Sequence, residues 1–131
     1  MTARFRTLAA AASVAIALVA TAALAAKNDY VFEPVAVEVR NGKDSELAVR
    51  LIHKPSGKAV EGAVIFRSRL DMSPDSMAEM TAKHTAQPSK EPGIYRFHAD
   101  LTMAGGWAFK LMAKVPGESE TIEGTVVFKA K

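Results

Sequence analysis

Trp107-Ala108-Phe109-Lys110-Leu111-Met112-Ala113-Lys114-Val115 is the stretch of sequence that decides the fold. Its apolar side chains occupy every second position, and Lys110, Met112 and Lys114 lie between them. Because successive side chains of a β-strand point to opposite faces, this period of two predicts a strand with one face on a core and one in solvent. Pro116-Gly117 follows directly and predicts the turn that ends the strand.

Shorter stretches with the same alternation lie on both sides of this strand. Turn residues such as Asn41-Gly42 and Pro92-Gly93 separate them at intervals of about eight to twelve residues, which is typical of an all-β sandwich or barrel. Six strands are predicted, near residues 35–39, 47–51, 64–70, 95–99, 107–115 and 122–128, with a seventh between 78 and 86. The predicted core between two sheets consists of Val49, Leu51, Phe66, Tyr95, Phe97, Trp107, Phe109, Leu111, Val126 and Phe128.

The N-terminus has the three-part pattern of a secretory signal peptide. Arg4 and Arg6 form a short basic region, and a long uncharged apolar run follows. Ala23-Leu24-Ala25 supplies the small-x-small pattern of a cleavage site, so cleavage is predicted after Ala25. An uncleaved anchor is the alternative, because the apolar run is just long enough to cross a bilayer. We expect residues 1–25 to be a signal peptide, residues 26–33 a flexible leader and residues 34–131 one domain located in the periplasm.

The charge and the cysteine content exclude several classes of protein. The formal net charge of the chain is +3, and Arg4 and Arg6 leave with the predicted signal peptide. The remaining acidic and basic residues are interleaved without an aromatic stacking platform, so no nucleic-acid partner is expected. The chain has no Cys, which excludes disulfides and thiolate ligands. A site for a soft metal would therefore have to use Met and His.

Residues 69–84 depart from the strand pattern. Ser73-Pro74 predicts the start of one or two helical turns that reach to about Thr81, with Asp71 and Asp75 as helix-start charges. A long bridging loop is the alternative. Met80 and His84 are four residues apart, and this spacing places two side chains on one face of a helix or of a strand.

The same segment supplies candidate metal ligands. Thioether sulfur and imidazole together form a soft ligand set that suits Cu(I). Met77, Met80 and His84 are the main candidates, and Met72 and Met103 are additional ones. Met is also a common gap-filling residue in protein cores, so packing stays open as the alternative role of each thioether.

Enzyme motifs are absent from the sequence. It has no Cys nucleophile, no Gly-x-Ser-x-Gly elbow, no phosphate-binding loop and no His-Glu-x-x-His zinc pair. We therefore expect a protein without catalytic activity.

Pro92-Gly93-Ile94-Tyr95 and Leu101-Thr102-Met103-Ala104-Gly105-Gly106-Trp107 form a recognisable pair of motifs. Together they resemble the signature of the YtkA-like domain, which is grouped with the FixH-like proteins. Gly57-Lys58-Ala59-Val60-Glu61-Gly62-Ala63-Val64 is similar to a turn of small immunoglobulin-like bacterial domains, with Ala59 where Pro is usual. The resemblance covers roughly residues 34–129 and implies a small immunoglobulin-like β-sandwich of six or seven strands.

Asp71-Met72-Ser73-Pro74, together with Met77 and Met80, resembles family members encoded beside heavy-metal efflux pumps of the RND class. Many related domains are rich in His near this segment, whereas here only His84 follows. The resemblance implies an exported, non-catalytic accessory to the handling of copper or another heavy metal.

Two functions are therefore expected as alternatives. In the first, a periplasmic accessory protein holds Cu(I) through Met77, Met80 and His84. In the second, a metal-free interaction module docks on a heavy-metal efflux or oxidase-assembly partner through a sheet edge or the Met-rich segment. The only membrane contact expected is that of the signal peptide before cleavage.

Overall fold

Two β-sheets pack face to face in the computed structural model, which describes residues 27–131. Sheet I contains β1 (Tyr30–Pro34), β3 (Gly42–His53), β4 (Lys58–Ala59), β7 (His84–Gln87) and β8 (Ile94–Leu101). Sheet II contains β2 (Glu38–Val39), β5 (Val64–Met72), β6 (Met77–Thr81), β9 (Gly105–Lys114) and β10 (Ile122–Ala130). The architecture confirms the predicted all-β sandwich. The predicted signal peptide lies outside the described residues.

The strand order brings two edges of the sandwich together. Sheet I has the order β1-β3-β8-β7, with β4 also paired to β3, and sheet II has the order β2-β10-β9-β5-β6. The pairs are antiparallel except that β2 runs parallel to β10. β6 and β7 follow each other in the chain and end their respective sheets on the same side. Within residues 27–131, no helix has the length and apolar character needed to cross a bilayer.

The core lies between the inner faces of the two sheets. Trp107, Phe109 and Phe128 are the largest fully buried side chains, so the alternation of the 107–115 stretch is confirmed. Phe97 of sheet I meets Phe109 of sheet II edge to face, with ring centroids 4.8 Å apart. The predicted core residues that are buried are Val49, Leu51, Phe97, Trp107, Phe109, Leu111, Val126 and Phe128.

Tyr95 lies at the border of this core. Its ring is half-buried, its hydroxyl donates to the Val60 carbonyl oxygen at 2.7 Å, and the Tyr95 hydroxyl oxygen accepts the Ala63 N–H at 3.0 Å. Tyr95 therefore fastens the 60–63 connection to sheet I as well as packing against the core.

Phe66 lies outside the core, and its prediction was wrong. Its side chain is 52% exposed. The register of β5 against β9 shifts between Ile65 and Arg67, which marks a β-bulge. Simple alternation from the buried Leu70 would place both Phe66 and Val64 inward. The extra residue of the bulge reverses this parity, so Ile65 packs on the core instead.

The N-terminal segment of the domain also differs from its prediction. The expected leader of residues 26–33 is wrong from Tyr30 onward, because β1 pairs with β3 and buries Phe32. The expected strand at 35–39 is reduced to the two residues of β2, and Val35 and Val37 are exposed. β2 pairs only with the last residues of β10, so these valines have no facing layer.

The helical turns predicted from Pro74 to Thr81 are also absent. A single 3-10 turn spans Ser73–Asp75, and Ser76 ends it with a left-handed φ of 61°. The chain then continues as β6 and β7, so the single strand expected between 78 and 86 is two strands in different sheets. A helix this short has little stability of its own, and pairing with β5 supplies the backbone with partners instead.

Candidate functional site

Residues 72–84, here called the crossover segment, carry most of the candidate ligands. The segment begins where β5 ends, passes through the 3-10 turn, and returns as β6 beside β5. Ala82 and Lys83 then carry the chain to the other sheet. The Ala82 N–H donates to the Leu70 oxygen of sheet II at 3.0 Å, and the Lys83 oxygen accepts the Asp100 N–H of sheet I at 2.9 Å.

This crossing removes the reason for expecting Met80 and His84 on one face. The four-residue spacing requires a single regular helix or strand. Met80 belongs to β6 in sheet II, whereas His84 begins β7 in sheet I. Their shared face does not follow from the spacing in this fold.

The methionines fall into two groups by burial. Met72 is fully buried, with its Cε atom facing Gly105, and Met77 is half-buried against the core and is the strand partner of Met72. Met80 is 38% exposed on β6, and Met103 is 40% exposed in the turn between β8 and β9. Met72 and Met77 therefore pack as core residues, while the thioethers of Met80 and Met103 are open to solvent.

Both ring nitrogens of His84 are hydrogen-bonded, and one of them reaches the other sheet. Nδ1 lies 3.0 Å from the Ala82 carbonyl oxygen, and Nε2 lies 2.7 Å from the Ser68 hydroxyl. Because a carbonyl oxygen only accepts, Nδ1 carries the proton, and in the neutral imidazole Nε2 then accepts from Ser68. The ring also packs edge-on against Phe109 at 5.2 Å between centroids. A metal at Nε2 would first have to displace the Ser68 hydroxyl.

Ser68 and His84 form a hydroxyl–imidazole pair in a shallow groove of about 400 Å³. The imidazole is oriented by the hydrogen bond from Nδ1 to the carbonyl oxygen of Ala82, and not by a carboxylate. Ser68 belongs to sheet II and His84 to sheet I, so this pair fastens the two sheets together at the crossover.

Asp71 holds the start of the crossover segment. Its carboxylate is completely buried and accepts the Ser73 N–H at 3.0 Å, Arg69 Nε at 2.9 Å and Lys110 Nζ at 3.1 Å. Burial alone would raise the pKa of Asp71, but the hydrogen bonds from Ser73, Lys110 and Arg69 outweigh it and hold the pKa well below its usual range. Sequence reasoning assigned Asp71 to a helix start and missed this cluster. The spacing of Arg69 and Asp71, two residues apart on one strand, was the signal that could have found it.

The 3-10 turn lies directly on the start of β9. Asp75 Oδ2 accepts the Gly106 N–H at 3.0 Å. A Cβ atom on Gly106 would lie 2.9 Å from the Pro74 Cβ, and one on Gly105 would collide with the Asp75 carboxylate. Trp107 Nε1 donates to the Met103 oxygen at 3.0 Å, so the buried indole fixes the turn that carries Met103.

The predicted ligands differ in how accessible they are to a metal. Met72 is enclosed in the core and both nitrogens of His84 are hydrogen-bonded. In the described part of the chain, no three His, Cys, Asp or Glu side chains come together as a metal-binding group. Among the predicted ligands, Met80 and Met103 have the thioethers most exposed to solvent.

Comparison with known proteins identifies a matching family and two solved structures of low similarity. The C-terminal domain of ZirS is 12% identical with a TM-score of 0.42, over 98% of this chain and 87% of that one. A conjugative transposon lipoprotein from Bacteroides eggerthii is 16% identical with a TM-score of 0.34, over 76% of this chain and 96% of its own. No curated protein matches the sequence. The family model of the YtkA-like domain matches residues 24–112, which include the Pro92-Gly93 and Met103–Trp107 motifs, and the chain therefore belongs to the YtkA-like family.

Proposed function

We propose that this protein is an exported, non-catalytic accessory to the handling of copper or another heavy metal, and that it acts by docking on a partner protein. The docking element is the edge strand β6 with the exposed side chain of Met80. The partner class, a heavy-metal efflux or oxidase-assembly protein, follows from the family resemblance. The signal-peptide pattern of residues 1–25 supports a periplasmic location.

The observation that carries this proposal is the open edge of β6. β6 is the last strand of sheet II, and within residues 27–131 its only neighbouring strand is β5. An edge strand presents backbone N–H and C=O groups that can pair with a strand of another chain. A flexible thioether such as that of Met80 adapts its shape to a partner surface.

The geometry of the other candidate ligands favours docking over a Cu(I) site. Met72 and Met77 contribute to packing, and both nitrogens of His84 are already hydrogen-bonded, Nε2 to Ser68 of the other sheet. Holding Cu(I) through the full predicted set would require the core to open around Met72 and the Ser68–His84 hydrogen bond to break.

Site-specific photocrosslinking in the bacterial host tests the docking surface. A photoreactive amino acid replaces Met80 in one variant and the exposed Glu33 on the other sheet in the control. We expect position 80, and not position 33, to crosslink to a protein of a heavy-metal efflux or oxidase-assembly system. Equal crosslinking from both positions, or none from position 80, would contradict docking through β6.

A copper competition assay separates docking from metal holding. The double substitution Met77→Leu/Met80→Leu keeps volume and apolarity nearly constant, so the fold should tolerate it. In competition with a chromophoric chelator, we expect this variant to retain at least as much Cu(I) as the parent. If the parent holds about one Cu(I) per chain and the double variant loses it, the first alternative, Cu(I) held by these residues, replaces the docking proposal.

A further inference from the structure

The outer face of sheet II carries more basic than acidic side chains. Leu70 and Phe109 are strand partners that face the core, so the neighbouring partners Arg69 and Lys110 face outward. The same register places Arg67 outward, opposite Met112. The basic side chains of this face are Arg67, Arg69, Lys110, Lys114 and Lys129.

The acidic side chains on this face cancel only part of that charge. Asp71 is buried beneath Arg69 and Lys110, whose own side chains remain 53% and 46% exposed. Glu123 is exposed opposite Met112, and Glu79 is exposed on the edge strand β6. Beside β10, Glu38 forms an ion pair with Lys131 at 2.7 Å, and Asp75 lies at the border over Gly106.

Sheet I presents a different charge pattern. Its outward Arg96 forms ion pairs with both Glu46 and Glu91. The carboxylate of Asp100 accepts the backbone N–H of Asp44 at 3.2 Å. Arg96 is thus paired with two carboxylates of its own surroundings, while no ion pair engages Arg67 or Lys114 on sheet II among the described residues.

Apolar side chains are exposed among these cations. The bulge in β5 turns Phe66 outward, and Val64 and Val127 are also exposed on sheet II. Met112 lines a shallow depression of about 500 Å³ together with Arg67, Lys110 and Glu123. Exposed apolar groups beside Lys and Arg are the combination that interfacial membrane binding uses.

We propose that the outer face of sheet II binds the surface of an anionic phospholipid bilayer. The cations are spread over three strands of an open face, and Arg67, Lys114 and Lys129, which form no ion pair among the described residues, can each meet a separate lipid phosphate. Lys and Arg near a membrane surface are attracted by its negative potential, and Phe66 and Val64 can enter the headgroup layer. An acidic protein segment would engage the same cations, but it would leave the exposed Phe66 and Val64 without a role. This contact is additional to the signal peptide and independent of the β6 docking proposal.

Vesicle sedimentation tests the proposal with the protein recovered from the periplasm. The probes are vesicles of phosphatidylglycerol and phosphatidylethanolamine in equal parts, and vesicles of phosphatidylcholine alone. We expect sedimentation with the anionic vesicles only. Arg67→Glu/Lys114→Glu should weaken it by about tenfold or more, and so should raising the salt to about 0.5 M. The control Lys54→Glu/Lys58→Glu makes the same change of net charge in the exposed turn and strand β4 of sheet I and should sediment like the parent.

A fluorescence readout follows the apolar side chains. Trp107 is fully buried, so a Phe66→Trp variant adds a second indole at the exposed position. Its emission should shift to shorter wavelength with anionic vesicles, while the emission of the parent stays unchanged. The proposal is overturned if both charge variants lose binding equally, if the new indole does not shift, or if the parent binds polyglutamate but not vesicles. The last outcome assigns the face to an acidic protein partner.

Discussion

Asp71 shows how one side chain decides the course of the crossover segment. The residue faces outward from sheet II yet is completely buried, because Arg69, Lys110 and the turn at Ser73 cover it. A buried carboxylate is costly unless its oxygens are hydrogen-bonded and its charge is paired. Here both conditions are met, and the chain is bent into the 3-10 turn by the hydrogen bond to the Ser73 N–H.

We expect Asp71→Asn to destabilise the fold and to make the free energy of unfolding less dependent on pH in the acidic range. The folded-state pKa of Asp71 lies below its ordinary value of 3.8. Its contribution to the free energy of unfolding is therefore complete above about pH 5 and is lost as the pH falls through and below the ordinary value. At pH 7 the variant should lose roughly 1–3 kcal/mol.

Denaturant titrations at a series of pH values measure this effect. The control Glu123→Gln removes a carboxylate from the same face of the sheet at an exposed position. It should change the free energy of unfolding by less than about 0.5 kcal/mol. Parallel pH curves for the parent and the Asp71→Asn variant would show that Asp71 is not the group responsible.

At the scale of elements, the 3-10 turn and the start of β9 fit together as one unit. Gly106 brings the β9 backbone close enough to meet Pro74 and Asp75. Gly105 adopts a φ of 135°, which side chains rarely allow. The adjacent glycines thus permit the close approach on which the position of Met103 and the return of the chain into β6 depend.

Gly106→Ala should destabilise the protein by roughly 1–3 kcal/mol, because the new methyl group overpacks against Pro74. In the background of Pro74→Gly, which removes the opposing Cβ, the same substitution should cost less than about 1 kcal/mol. Thermal unfolding of the four proteins in this double-mutant cycle provides the measurement. An equal cost in both backgrounds would mean that the turn does not rest on Gly106.

At the scale of the whole molecule, the two faces of sheet II lie in different environments. The inner face joins sheet I through a layer of aromatic and aliphatic side chains, of which Phe97, Phe109 and His84 form one contact group. The outer face leaves Phe66 and Val64 exposed among cations. Because of the bulge in β5, Phe66 lies on the outer face, whereas Phe109 on the neighbouring strand lies on the inner face.

Phe109→Ala should cost roughly 3–5 kcal/mol of unfolding free energy, because it leaves a cavity between the sheets. Phe66→Ala, the same change on the neighbouring strand, should cost less than about 0.5 kcal/mol. If Phe109→Ala does not fold, Phe109→Leu should still unfold at lower denaturant than Phe66→Ala. Similar losses at both positions would place Phe66 in the core and contradict the bulge.

The sequence by itself determined the all-β class, the family and most of the core. The long strand β9 could be predicted because its alternation continues over many residues, and one face of a strand that is half buried must be apolar. The Pro92-Gly93 turn could be predicted for a similar reason, since Gly93 has a φ of 78° and a side chain there would collide with Ala59. Such signals are local, so they can be read without knowing which strands become neighbours.

Only the tertiary structure decided the arrangement of the candidate site. The four-residue spacing of Met80 and His84 does not predict their relative orientation, because the chain passes from sheet II to sheet I at Ala82. The bulge that exposes Phe66 depends on the register between β5 and β9, and the burial of Met72 depends on the approach of Gly105. The cations of sheet II likewise come from strands distant in sequence, and strand pairing alone gathers them on one face. Pairing partners and register are set by contacts between remote segments, which no local pattern of side chains encodes.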